Sequence, residues 1–114
     1  MSDSSAQAVV DRQMVAYNNR DLEGFIDCYG ETLEVYDISK GAEKQILPKE
    51  SFKETMAKLF ATSPNLNGVV EERIIHGNRV VDKERVTGYR GDDEVTKIVT
   101  YIVENNLITR LYFL

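Results

Sequence analysis

The chain reads as one α+β domain in the order α-α-β-(β)-α-β-β-β-β, with helices packed on one side of a curved antiparallel sheet. Three observations predict this. Apolar residues recur at helical spacing in three segments before Ser63. From Leu66 onward they alternate at period two. Gly77-Asn78 and Asn105-Asn106 punctuate that second half as hairpin turns.

Asp3, Ser4 or Ser5 caps a first helix, on which Val10, Met14 and Tyr17 share a face. Asn18-Asn19-Arg20 breaks the pattern. Asp21 caps a second, short helix with Leu22, Phe25, Ile26 and Tyr29 at helical spacing, and Gly30 ends it. From Glu31 the period changes. Leu33, Val35 and Asp37 share one face of a strand, and Thr32, Glu34 and Tyr36 the other. Ser39–Lys44 is a turn, and Gln45-Ile46-Leu47 a weak strand. Pro48 suits the start of a third helix, and Ser51 with Glu54 offers a capping box. Phe52, Met56, Leu59 and Phe60 form that helix's apolar stripe, which Ser63-Pro64-Asn65 stops. Strands follow at roughly 66–76, 79–90, 94–104 and 107–114, with Gly91-Asp92-Asp93 linking the middle pair.

Composition narrows the function classes. The chain has 114 residues, 42% hydrophobic and 29% charged, enough for one core and too few for two domains. The net charge of −5 and the lack of a Lys/Arg cluster point away from nucleic acid. Residues 1–8 lack the basic start and apolar run of a signal peptide, and no apolar run reaches the ~18 residues of a membrane span. A cytoplasmic location is expected, with no membrane partner. One cysteine, Cys28, permits no internal disulfide and falls next to an apolar stripe, where packing explains it better than nucleophilic chemistry. One Cys and one His cannot form the usual zinc sites, and there is no glycine-rich phosphate loop. No metal or other cofactor is expected.

The segment "VVEERIIHGNRVVDKERV" (69–86) carries the first unusual pattern. With Gly77-Asn78 as a two-residue turn, His76 faces Arg79. Ile75 then faces Val80, Arg73 faces Asp82, Glu71 faces Glu84, and Val69 faces Val86. The other face pairs Ile74 with Val81, Glu72 with Lys83 and Val70 with Arg85, an outer surface with a cross-strand ion pair. If the first face points inward, it buries charge between apolar ends, which is costly unless paired. Such a patch is a satisfied network or a site; the alternative is that both faces are partly solvated. A bulge or a one-residue slip would exchange the faces.

Asp37 is the second. In phase with Leu33 and Val35, it is a partly desolvated carboxylate suited to general-base work. The alternative is a turn-initiating Asp just past the strand. On the last hairpin a two-residue turn pairs Tyr101 with Arg110 and Val99 with Tyr112, and a longer turn reverses which of them face inward.

"YNNRDLEGFIDCYGETLEVYD" (17–37) resembles the opening of the nuclear-transport-factor-2-like superfamily, which includes ketosteroid isomerase, SnoaL-like polyketide cyclases and scytalone dehydratase. "FKETMAKLFATSPNL" (52–66), followed by "ERIIHGNRVVDKERVTG" (72–88), is similar to a SnoaL-like subgroup of unassigned function. The element order matches over nearly the whole chain. The resemblance implies a single SnoaL-like domain over 1–114. It would be a cone-shaped curved antiparallel (mixed) sheet wrapped around the three helices of the N-terminal half, with a pocket at one end. It also implies a homodimer through the outer sheet face, where Ile74 and Val81 would suit.

The isomerase's aspartate base falls on Asp37. Its oxyanion tyrosine falls on Gln13, and its protonated aspartic acid near Val99, so both donors are replaced. Each lost oxyanion donor typically costs a factor of about 100–1,000 in rate, which counts against steroid isomerisation by that mechanism. Tyr17 or Tyr101 could substitute geometrically. The dehydratase's His–Asp pair is not expected, because His76, the sole histidine, lies beside a turn on the outer face. The functional expectation is a small-molecule-binding protein acting as an isomerase, cyclase or lyase on an apolar carbonyl compound, without a cofactor. Asp37 is the expected catalytic base. Gln13, Tyr17, Glu71, Arg73, Asp82, Glu84 and Tyr101 line the expected pocket. Arg73 would stabilise the oxyanion, and Asp82 or Glu84 would hold Arg73. The alternative is a non-catalytic ligand-binding, dimerisation or accessory module.

Overall fold

Ser5 opens the first helix, its hydroxyl accepting from the Ala8 N–H. The computed structural model describes residues 5–41, 43–91 and 93–114, so Asp3 and Ser4, the other expected caps, lie outside the described residues. Helix α1 spans Ala6–Asn18 and buries Val9, Val10, Gln13, Met14 and Tyr17. Helix α2, Leu22–Ile26, is capped by Asp21, whose carboxylate accepts from the Gly24 N–H. It is shorter than the spacing predicts. Tyr29 and Gly30 already belong to strand β1, Tyr29–Asp37, because the sheet claims this backbone: the Ile108 N–H donates to the Cys28 carbonyl at 2.8 Å. A 3₁₀ turn at Ile38–Lys40 leads to β2, Lys44–Pro48.

Helix α3 spans Lys49–Thr62 with Pro48 at its N-cap and no side-chain cap. The expected Ser51–Glu54 capping box does not form, because the helix starts at Lys49 and both residues lie inside it. Met56 and Phe60 are buried, and Phe52 and Leu59 pack beside them. The remaining strands are β3 Asn67–His76, β4 Arg79–Tyr89, β5 Asp93–Glu104 and β6 Leu107–Phe113.

The six strands form one sheet in the order β2-β1-β6-β5-β4-β3. β1 runs parallel to β6, and the other neighbouring pairs are antiparallel. The α+β cone is therefore built on a mixed sheet, open between β2 and β3, with its helices in the N-terminal half. Phe25 sits at the centre of the core, its ring centroid 5.9 Å from Tyr17, 5.0 Å from Tyr29 and 5.8 Å from Phe60. Each fully buried aromatic or leucine contributes roughly 1.5–3 kcal/mol, so this cluster fixes how helices and sheet meet. No helix is long and apolar enough to cross a membrane among the described residues.

Two bulges revise the expected registers. From His76↔Arg79 to Glu72↔Lys83 the β3–β4 pairs are those the turn predicts, including Arg73↔Asp82 and Ile74↔Val81. Glu71 then falls out of the ladder, and Val70 pairs with Glu84, Val69 with Arg85 and Gly68 with Val86. The expected pairs Glu71–Glu84, Val69–Val86 and Val70–Arg85 do not form. On the last hairpin Asn105 and Asn106 do form a two-residue turn, both at positive φ (52° and 65°). Thr109 is the extra residue there. Tyr101 pairs with Leu111 and Val99 with Phe113, replacing the expected Tyr101–Arg110 and Val99–Tyr112.

Candidate functional site

Helices α1 and α3 meet the inner sheet face around a cavity of about 570 Å³. The wall is mostly apolar, with rings of Phe25, Phe52 and Phe113 among its parts. That size and lining suit a small organic molecule. Its polar groups come from α1 and α3, from the two ends of β1, and from the alternating inner positions of β4 and β5. Lys97, Val99 and Tyr101 share one side of β5, and the ladder sets Lys97 opposite Glu84.

A buried hydrogen-bond chain joins four elements, β1, α1, β5 and β4. The Tyr29 hydroxyl donates to Gln13 Oε1 at 3.0 Å. Gln13 Nε2 donates to the Tyr101 hydroxyl at 3.4 Å. Tyr101 in turn donates to Glu84 Oε2 at 2.5 Å. Gln13 and Glu84 are each 2% exposed. Burial pushes the Glu84 carboxyl above its ordinary range, against the pull of Lys97 and of the Tyr101 hydrogen bond. Burial likewise holds the Tyr29 and Tyr101 hydroxyls firmly protonated.

Tyr17 differs from its neighbours. It lines the same cavity and is 6% exposed, yet its hydroxyl has no hydrogen-bond partner among the described residues. A buried unpaired hydroxyl costs about 1–3 kcal/mol. Beside it stands Lys97, which the sequence reading missed. Lys97 Nζ lies 5.9 Å from the centre of the Tyr17 ring and 5.8 Å from that of Phe113. Burial lowers the pKa of its ammonium, and the Glu84 charge opposes that shift. Its signal was present as the period-two phase with Val99 and Tyr101.

Asp37 ends β1 beside Phe113 of β6, half-buried, and contributes to the cavity wall. Gln13, Tyr17, Glu84 and Tyr101 line the same cavity.

Three of the expected pocket residues lie elsewhere. Asp82 is 0% exposed and grips Arg73 at two points, Nε to Oδ1 at 2.7 Å and Nη2 to Oδ2 at 2.9 Å. Arg73 Nη1 also donates to Asp11 of α1 at 2.6 Å. This network straps α1 to the β3–β4 hairpin, away from the cavity wall, and Arg73 is committed to it. Glu71, turned out by its bulge, is exposed and faces Arg85 at 3.4 Å. The inward charge of the hairpin thus splits in two: Arg73–Asp82 is structural, and Glu84 belongs to the cavity. His76 is exposed at its turn, and Cys28 is buried. Among the described residues, no group of His, Cys, Asp and Glu side chains is arranged to hold a metal ion.

The arrangement offers a free hydroxyl donor, an amine, a buried carboxyl and a wall carboxylate around an apolar space. An open cone with this layout is the nuclear-transport-factor-2-like fold. The chain belongs to the SnoaL-like domain family, whose model matches residues 10–111. None of the curated proteins compared matches it. Among solved structures, a cystatin-fold protein of uncharacterised function from Novosphingobium aromaticivorans superposes with a TM-score of 0.83 at 19% identity, covering 96% of this chain and 97% of that one. A protein from Kribbella flavida, provisionally assigned as a ketosteroid isomerase, gives 0.77 at 14% identity, covering 95% and 75%. A SnoaL-like protein of unknown function from Burkholderia thailandensis gives 0.77 at 12%, covering 99% and 95%. At these identities the likeness is one of fold.

Proposed function

We propose that the cavity binds a small, largely apolar carbonyl compound and that the chain moves a proton on it, with Asp37 as the base. The observation that carries this reading is the Tyr17 hydroxyl, buried on the cavity wall without a protein partner. A ligand carbonyl would accept from it and relieve the cost of leaving it unpaired. As Asp37 takes a proton from the adjacent carbon, negative charge grows on that oxygen, and the Tyr17 donor stabilises it. Returning the proton elsewhere gives isomerisation, and expelling a leaving group gives elimination. Neither needs an electron carrier. The Kribbella flavida structure adds support by analogy of fold alone.

A second reading, binding without turnover, is favoured by one observation. Gln13, at the position of the isomerase's oxyanion tyrosine, has its amide committed to Tyr29 and Tyr101. We also propose a homodimer through the outer sheet face, where Ile74 is 68% exposed beside Val81.

Melting curves with cyclic ketones, aromatic polyketide-like ketones and small carboxylic acids would test the site. Compounds that bind would then be followed for loss of the α-hydrogen to deuterium in heavy water. A ligand at about 100 times its Kd adds roughly 2.7 kcal/mol of stability. Ketones should raise the melting point of the wild type and of Asp37→Asn, and less so that of Tyr17→Phe. Exchange should occur with the wild type and not with Asp37→Asn. Binding without exchange in the wild type selects the second reading, and no stabilisation by any compound overturns both.

A further inference from the structure

We propose that Lys97 is a carbonyl-capturing amine: in the cavity it forms a carbinolamine, and then an imine, with an aldehyde or ketone. This rests on the reading of the cavity as a carbonyl site and supplies its covalent chemistry.

Three groups line the same cavity. Lys97 projects from the inner side of β5 into an apolar wall, its nitrogen between the rings of Tyr17 and Phe113. No salt bridge to a described residue anchors it, although Glu84 is its cross-strand neighbour. Lys53, by contrast, is anchored in an ion pair with the exposed Glu23 at 2.7 Å. An ammonium in such a wall is poorly solvated, which favours the neutral, nucleophilic amine. The second group is the Tyr17 hydroxyl, buried and unpartnered beside the same lysine. The third is Glu84, whose buried carboxyl holds a proton more readily than an exposed one.

The chemistry balances without any further reagent. The amine lone pair forms an N–C bond to the carbonyl carbon, and the C=O π electrons move to oxygen, which Tyr17 steadies by donating a hydrogen bond. The proton lost by nitrogen passes to that oxygen through Glu84. A second proton from Glu84 lets the C–O bond break with release of water, while the nitrogen lone pair closes the C=N bond. Addition of water reverses each step. A protonated imine withdraws electrons from the neighbouring carbon more strongly than a neutral carbonyl does, so Asp37 would then face an easier proton. This arrangement does not require the oxyanion donors that Gln13 and Val99 replace.

The test is reductive trapping. The intact chain is incubated at neutral pH with an aromatic aldehyde or a cyclic ketone plus sodium borohydride, which reduces C=N to a stable secondary amine. Peptide mass mapping then locates the adduct. Lys97 should be labelled faster than any surface lysine, because burial lowers the pKa of its ammonium and leaves more of it as free amine at neutral pH. Lys97→Arg and Lys97→Met should remove that adduct while circular dichroism confirms that both fold; two substitutions guard against one that does not. Melting curves with the same compounds run in parallel. Ligand stabilisation without Lys97 labelling overturns the imine and leaves the carbonyl pocket standing. Stabilisation by carboxylic acids alone, lost in Lys97→Met, also overturns it and makes Lys97 an anion-binding ammonium. Labelling spread evenly over the surface lysines, with no stabilisation, removes both readings.

Discussion

Asp82 shows how one buried charge is made tolerable. With no exposure, it relies on two parallel hydrogen bonds from Arg73. Removing one partner of a buried pair leaves the other uncompensated, at a cost of about 3–5 kcal/mol. Arg73→Ala should therefore lower the unfolding free energy by that amount in urea. Asp11→Asn removes only the half-exposed arm of the same network, which is worth at most about 1 kcal/mol. Equal losses from the two substitutions would refute the division of labour. Glu84 makes the opposite case, because its surroundings favour the protonated form. Above the ordinary carboxylate value of 4.5 the unfolded chain ionises at this residue while the folded chain still holds the proton. The folded state then binds more protons, so this contribution is complete below pH 4.5 and is lost as pH rises through the raised folded value. Lys97 has the reverse sign, in a window below its ordinary 10.5: stability rises as pH climbs toward that value. Glu84→Gln cannot ionise. Denaturation from pH 4.5 upward should show the wild type losing stability relative to Glu84→Gln, by at most about 1.4 kcal/mol per pH unit. A constant difference between them would mean that burial leaves Glu84 untouched.

At the scale of elements, the molecule depends on how strand ends meet helix ends. Asn18, read from sequence as a helix breaker, clamps the start of β3: its amide donates to the Gly68 carbonyl at 3.0 Å and accepts from the Gly68 N–H at 2.7 Å. At the far end of β4, Gly88 takes φ +67°, and a Cβ there would run into the Asn65 carbonyl that follows α3. The neighbouring Arg90 N–H donates to the buried Ser63 hydroxyl at 2.8 Å, which ties the same two segments. Gly88→Ala combines a disfavoured backbone with a clash against main chain, and should cost at least about 2 kcal/mol by thermal or chemical unfolding. A loss under about 0.5 kcal/mol would show that residues 63–66 give way easily. The helices and strands themselves were legible, because periods of 3.6 and two belong to the local chain. The bulges at Glu71 and Thr109 were not, since each adjusts two strands to the curvature of a whole sheet.

For the whole molecule, the helices sit against one sheet face and leave the other uncovered. Ile74 and Ile46 are exposed on that sheet, and Tyr36 stacks on Tyr112 with ring centroids 4.6 Å apart. The proposed homodimer would cover such apolar surface. Gel filtration with light scattering should then give a dimer for the wild type and a monomer for Ile74→Lys with an unchanged circular dichroism spectrum. A monomeric wild type at high micromolar concentration removes the proposal.

The sequence by itself determined the class of fold, the element order and several of the cavity's polar groups. Asp37, Gln13, Tyr17, Glu84 and Tyr101 all stand on periodic faces whose inward side the apolar pattern marks. It also determined the hairpin pairing next to each turn, because a two-residue turn fixes register locally. Only the tertiary structure decided which buried charges do which work. Arg73 and Glu84 share one hairpin, yet a single extra residue between them re-registers β3 against β4. Arg73 falls to Asp82 and Asp11, and Glu84 falls to Tyr101 and Lys97. The hairpin turn encodes the Arg73–Asp82 pair, but Asp11, Tyr101 and Lys97 reach their partners through sheet curvature and helix packing, which no local pattern encodes.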